Sequence, residues 1–270
     1  MNGMRVINID SMFRKNYNST LSTNFTIDLN YPIKNVISMK LSNIQLPNTW
    51  HNVSKIFGNN TIKVNEQSYI LPDGNYNNQS IPKSLKNLYT TEQPISQFGA
   101  SASGYLVSID SSTGFSTIES KDARSFELTI LEDDSKSDLF HSLGWMLGFR
   151  KNKYSGGNKY ISEGVFNADI YKYLYLAVDD KNYSGAELII GNLKESSVVG
   201  NIIAIIRVNS SNYNIINTDM YETQTRIYAN PVNIRKLSIK LLSPEGLIIN
   251  LNHMDIAFSL ELEIKNDLLI

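Results

Sequence analysis

The chain has no cysteine in 270 residues. That excludes a disulfide framework and thiolate chemistry, and it fits a reducing compartment. Histidine is scarce. His51, His141 and His253 lie far apart, with no His-x-His or His-Glu-x-x-His spacing to gather zinc ligands. Neither sign of charge dominates, at 25 basic against 26 acidic residues. Nothing in that balance points to nucleic acid or to a charged tail. The longest runs of apolar residues, such as Ile202 to Ile206 and Tyr173 to Val178, are far short of the roughly 20 residues of a membrane span. The opening residues 1–10 contain no apolar h-region, so no secretory signal is expected. There is no Gly-x-Ser-x-Gly, and Gly156-Gly157 has neither the Lys nor the strand–loop–helix context of a phosphate loop. Asp133-Asp134 and Asp179-Asp180 have the chemistry to hold a hard cation such as Ca²⁺, but acidic pairs at turns are more often simply solvated. We assign no catalytic, cofactor-binding or metal residues and expect no enzyme. An enzyme built on this scaffold would need a scattered site that motifs do not reveal.

What is abundant is asparagine, together with Ile, Lys and Tyr, the quartet that AT-rich coding favours. The Asn-x-Ser/Thr sequons at Asn18, Asn24, Asn52, Asn59, Asn78, Asn182 and Asn209 therefore read as chance occurrences in an Asn-rich chain. Several tyrosines fall in expected loops: Tyr154, Tyr160, Tyr183, Tyr213, Tyr221 and Tyr228. Tyr with Asn suits an adaptable contact surface or a sugar-binding face. The same tyrosines suit pinning long loops to a core, and both readings stay open.

The dominant pattern is period two. Phe258, Leu260, Leu262 and Ile264 share one side of an extended chain, with Ser259, Glu261, Glu263 and Lys265 on the other. Phe25, Ile27 and Leu29 alternate likewise, and Pro32 is expected to close that strand. In the strand from Val36 to Leu46, Ile37, Met39 and Leu41 have one parity, Ile44 and Leu46 the other. That phase switch predicts a bulge near Ser42-Asn43. Further strands are expected at 61–64, 69–71, 105–109, 115–118, 126–130 and 237–241. Residues 171–178 and 202–208 are apolar on both faces, as central strands are. Asp110 to Gly114 is a hairpin loop, and Ser243-Pro-Glu-Gly a turn. One helix is expected from Ser80, with Ile81, Leu85, Leu88 and Tyr89 as its stripe. A second is capped by Ser137, with Leu139, Phe140, Leu143, Met146 and Leu147 inward and Gly148 at its end. Residues 150–168 read as a loop, 185–200 as a loop or a weak hairpin, and 210–230 as a crossover.

These elements predict an all-β fold: a single jelly-roll β-sandwich of about eight antiparallel strands, with two short helices inserted in loops. Residues 1–24 are expected to be an N-terminal arm, either a plain disordered terminus or one whose Val6, Ile7 and Ile9 add a short strand to a neighbour, and 25–270 a single jelly-roll domain. The first strand of that domain should sit beside the terminal one.

Several segments, in order along the chain, resemble the minor capsid and penton (vertex) proteins of the nucleocytoplasmic large DNA viruses. They are Val6-Ile-Asn-Ile-Asp-Ser-Met-Phe-Arg, Ile33 through Trp50, Asp73-Gly-Asn-Tyr, Leu143-Gly-Trp-Met-Leu-Gly-Phe-Arg, Tyr173 through Asp180, and Leu251 through Leu262. The resemblance implies a single jelly roll, a place in the virion capsid after assembly in host cytoplasm, and no enzymatic role. It implies as partners the major capsid protein and neighbouring minor capsid proteins, and a homo-oligomer, pentameric if a penton. No nucleic acid and no membrane span are expected. The alternative is a carbohydrate- or receptor-binding jelly roll on a virion surface, which an exposed cluster of Tyr, Trp50 and Asn would favour.

Overall fold

The computed structural model describes residues 2–77, 79–86, 89–90, 104–131, 139–182, 200–208, 212–217 and 221–266. In chain order its strands are β1 Gly3–Asp10, β2 Asn24–Pro47, β3 Thr61–Val64, β4 Gln67–Ile70, β5 Tyr89–Thr90, β6 Tyr105–Ile109, β7 Phe115–Ser120 and β8 Phe126–Thr129, then β9 Lys153–Gly157, β10 Lys159–Val165, β11 Tyr173–Asp179, β12 Ile202–Arg207, β13 Ile215–Ile216, β14 Tyr221–Thr223, β15 Arg226–Leu242 and β16 Ala257–Ile264. Two short helices, α1 Ser80–Lys86 and α2 Leu143–Met146, interrupt them. The strand pairs are antiparallel. The protein is thus all-β, as a jelly-roll sandwich requires.

The expected single domain over 25–270 divides into two compact units. One joins Met1–Trp50 to Tyr171–Ile270; the other, His51–Ile170, is an insertion between them. No shift in composition marks the boundary, because the insertion builds its own core from the same residue types.

In the first unit the sheet runs β1-β16-β2-β15-β11-β12-β14, with β13 added on β2. Its rows follow the sequence pattern. Phe258, Leu260 and Leu262 are fully buried, while Glu261 and Glu263 lie on the outer face. The bulge falls where the phase switch places it: Ser259 faces Asn43 and Leu260 faces Leu41, leaving Ser42 as the extra residue. A second register shift, at Ile37, brings Val36 rather than Ile37 into the core. Strand β11 lies between β15 and β12 and is buried on both faces, as its unbroken apolar run demands.

Three expectations are corrected here. First, Pro32 does not end a strand. Strand β2 runs on for 24 residues, and Pro32 sits where pairing jumps from Asp28–Lys236 to Ile33–Ile234. Its missing N–H is not needed in that unpaired stretch. In consequence Phe25 and Ile27 face Ile239 and Leu237 of β15, and the 36–45 half of β2 pairs with β16. The first and last strands share a sheet, but the Phe25 stretch is not the neighbour of β16. Second, β15 begins at Arg226 inside the supposed crossover. Pro231 and three register shifts break its alternation. Third, residues 1–24 do not hang free as an arm. Strand β1 pairs with β16 over eight residues, from Gly3–Ile264 to Asp10–Ala257, because Ile7 and Ile9 meet the apolar side of β16.

The second unit holds two sheets, β10-β7-β6 and β5-β4-β3-β8-β9. Their shared core includes Ile62, Val64, Val107, Ile118, Phe126 and Leu128. The 150–168 segment, read as a loop, forms β9 and β10. Its Lys, Ser and Gly residues hid two strands, one in each sheet, that pack on the core through Tyr154 and Tyr160. The Asp110 hairpin loop is built as expected. The Asp110 carboxylate accepts the N–H of Ser112 at 2.9 Å and of Thr113 at 2.7 Å, and Gly114 takes a positive φ of 74°. The cap of α2 is Ser142, whose Oγ accepts the Trp145 N–H at 3.1 Å. Ser137 lies outside the described residues. Gly148 has φ 95°, and a Cβ there would stand 2.1 Å from the Gly164 carbonyl oxygen, so only glycine fits.

Candidate functional site

Most residues singled out as chemically interesting turn out to hold the fold together. Tyr154 donates to Glu163 at 2.6 Å and accepts the backbone N–H of Arg150 and Lys151. Tyr160 donates to the Phe126 carbonyl at 2.6 Å. Tyr228 is buried, whereas Tyr213 is exposed. Tyr183 and the side chain of Tyr221 lie outside the described residues, as do Asp133-Asp134 and the sequons at Asn78 and Asn209. Asn52 and Asn59 are buried and hydrogen-bonded to backbone, so neither can carry a glycan in the folded unit. Trp50 is buried edge-on against Tyr171, with ring centres 6.2 Å apart, and offers no exposed aromatic platform. Among the described residues no three His, Cys, Asp or Glu side chains gather as metal ligands, and no helix is long and apolar enough to cross a membrane.

Asp179-Asp180 splits into two roles. Asp179 pairs with Lys181 at the surface. Asp180 is buried, and its Oδ2 accepts from Arg226 Nη1 at 2.9 Å and from the Tyr228 hydroxyl. Arg226 also donates to the carbonyls of Val178 at 2.8 Å and Asn201 at 3.2 Å. This node ties the end of β11 to the starts of β12 and β15. It is a structural ion pair of the kind that buried charges need.

Burial, then the Asp180 carboxylate, raises the Tyr228 pKa. Burial also raises Tyr171, and it pushes Tyr175 up to about 12. A tyrosine whose folded pKa exceeds its unfolded value near 10 stabilises the fold below that pH. The contribution is lost as pH rises through the folded value. Stability of the first unit should therefore fall above about pH 10. In an alkaline titration, phenolate absorbance from these three residues should appear together with unfolding. Their ionisation near pH 10 in a chain with unchanged circular dichroism would contradict this.

The surface feature that stands apart is the free edge of β1. Ser11 N–H donates to the Ile256 carbonyl at 2.9 Å, continuing the ladder beyond the Asp10–Ala257 pair. Ladder bonds alternate along an antiparallel pair, so Gly3, Arg5, Ile7 and Ile9 turn their backbone groups to β16. Met4, Val6, Asn8 and Asp10 turn theirs away, to an edge where no described strand pairs. Met4 and Val6 are also 66% and 62% exposed. Beyond them lie exposed Met12, Phe13 (78%), Tyr17 and Leu21.

A clasp holds this segment. Arg14 Nη1 meets Asp255 Oδ1 at 2.6 Å, with the Arg14 side chain only 5% exposed. Its guanidinium stacks 3.9 Å over the Tyr17 ring and bonds the Thr20 carbonyl at 3.1 Å. Ser11 Oγ donates to Asp255 at 2.7 Å and accepts the Ile256 N–H at 2.9 Å. Next to β1 the outer face is a polar ladder: Asn43 Nδ2 donates to Ser259 Oγ at 3.1 Å, Ser259 Oγ donates to Asn8 Oδ1 at 3.0 Å, and Lys40 pairs with Glu261 at 3.0 Å. Motif reading found the segment but not the clasp, because Arg14 and Asp255 are 241 residues apart.

No family model matches the sequence. No curated protein matches it either. Among solved structures, the fold is similar to the crystal structure of the selenomethionine-labelled mavirus penton protein, at 10% identity and a TM-score of 0.49, covering 97% of this chain and 100% of that one.

Proposed function

We propose that the protein is a structural component of a virion capsid, a penton or another minor capsid protein of a large icosahedral DNA virus, working through contacts between subunits. The observation that carries this reading is the first 24 residues. They combine an open strand edge with six exposed large apolar side chains, Met4, Val6, Met12, Phe13, Tyr17 and Leu21. An open strand edge on a segment with that many exposed apolar side chains favours a protein-contact role. The sequence resemblance supports the same reading. Its segments fall on β1, on β2, on the loop between β4 and α1, on the α2 turn, on β11 and on the clasp with β16. The test is native mass of the purified chain together with binding to capsid shells assembled from the major capsid protein. A closed homo-oligomer that joins the shells is expected, of five copies for a penton. A chain that binds no shell under any assembly condition would sink the reading.

A further inference from the structure

We propose that the open edge of β1 pairs with β1 of a second copy of this chain, antiparallel about a two-fold axis. The proposal stands on the edge itself and does not require the capsid reading. A free strand edge is completed by another free edge of similar length. The two ends of the sheet are unequal in this respect. Strand β14 spans three residues, whereas β1 spans eight. Strand β1 has few of the usual edge protections: it carries one exposed cation, Arg5, but contains no proline and no lysine, and no bulge interrupts its register with β16.

The outward backbone groups belong to even-numbered residues, so even must face even across the axis. A two-fold centred on Val6 sets Val6 against Val6, Met4 against Asn8 and Asn2 against Asp10 of the other copy. No like charges then face each other, and Asn2 can bond the Asp10 carboxylate. Met4 reaches the partner's Val6 on the diagonal, where long side chains meet in a sheet. Shifting the axis onto Ile7 would set Met4 against Asp10, an apolar side chain against a carboxylate, and shifting it onto Arg5 would set two Arg5 side chains directly opposite each other. The axis on Val6 therefore fits best. Such an isologous contact closes on itself instead of propagating into fibres. One strand pair buries less than the roughly 1,200 Å² of a stable interface, so association should be weak and concentration-dependent.

The absence of native cysteine makes the test clean. Val6 faces its own copy in a hydrogen-bonded pair, with Cα atoms about 5.5 Å apart, within the span of a disulfide. Under mild oxidation, the full-length Val6→Cys chain should form a covalent dimer at least tenfold faster than a Leu247→Cys chain, whose thiol is exposed elsewhere on the same unit. Met4→Cys chains should link to Asn8→Cys chains faster than either links to itself. Val6→Pro removes an outward N–H and leaves the β1–β16 ladder intact, since proline is tolerated where the N–H is unpaired. It should weaken self-association in sedimentation at least tenfold. If Val6→Pro does not fold, Val6→Lys serves, placing a charge on the edge. Val6→Cys dimerisation no faster than Leu247→Cys would overturn the proposal, as would association unchanged by the Val6 substitutions. A closed ring that binds capsid shells while Val6→Cys stays unlinked would sink the edge pairing and leave the capsid reading standing.

Discussion

Replacing Asp180 with alanine is expected to lower the stability of the first unit by about 3–5 kcal/mol, the cost of leaving one partner of a buried ion pair alone. Arg226 would keep its bonds to the Val178 and Asn201 carbonyls but would lose its counter-charge in a site from which water is excluded. The Tyr228 hydroxyl would lose its acceptor at the same time. A native domain holds only about 5–15 kcal/mol in all, so a shift of this size should be plain in a urea titration. Arg226→Leu should cost a similar amount, because it strands the carboxylate. The double replacement Asp180→Leu with Arg226→Leu should recover much of the loss, since an apolar pair carries no desolvation penalty. Losses under 1 kcal/mol from both single variants would mean that water reaches the node and that it is not the closed junction described here.

The second large effect concerns β16. Leu260 is fully buried between Ile7 of β1 and Leu41 of β2. Leu260→Ala should cost about 2–5 kcal/mol, and Leu260→Asp more, because it also buries an unpaired carboxylate. Truncation before Phe258 should leave no soluble first unit: it strips a row of core side chains and removes the strand that joins β1 to β2. The adjacent Glu261→Ser should cost no more than about 1 kcal/mol, because its pair with Lys40 stays in reach of water at the sheet's outer face. Thermal melts of the two single variants would decide the register. If the Glu261 variant were the more damaged, the inward and outward rows would be exchanged.

The rows of β16, the bulge at Ser42, the central placement of β11 and the Asp110 hairpin loop were legible in the sequence. Each follows from local periodicity or turn chemistry. The division into two units was not, since β3 through β10 use the same apolar vocabulary as the rest. The 150–168 strands were missed because strands rich in Gly, Ser and Lys carry little alternation when tyrosines supply the burial. The docking of β1 was missed for a different reason. A short strand with only Ile7 and Ile9 turned inward looks like a free terminus until its partner, more than 240 residues away, is known. The Asp180–Arg226–Tyr228 node shared that difficulty. Asp180 reads as a solvated turn residue, and only the fold brings Arg226 to it.

The contact between Trp50 and Tyr171 has a consequence for how the chain can vary. These are the last residue before the insertion and the first after it, and their rings touch inside the first unit. From that unit's standpoint the 120 residues between them form one long loop whose ends are already fastened together. The entropy of closing such a loop rises by only about 0.6 kcal/mol for each doubling of its length. The position is therefore a socket: as far as loop closure is concerned, the first unit can carry a module twice or half as long there at nearly the same cost. In loop-closure terms, the length of the inserted module therefore weighs little on the strand rows and the buried ion pair of the first unit.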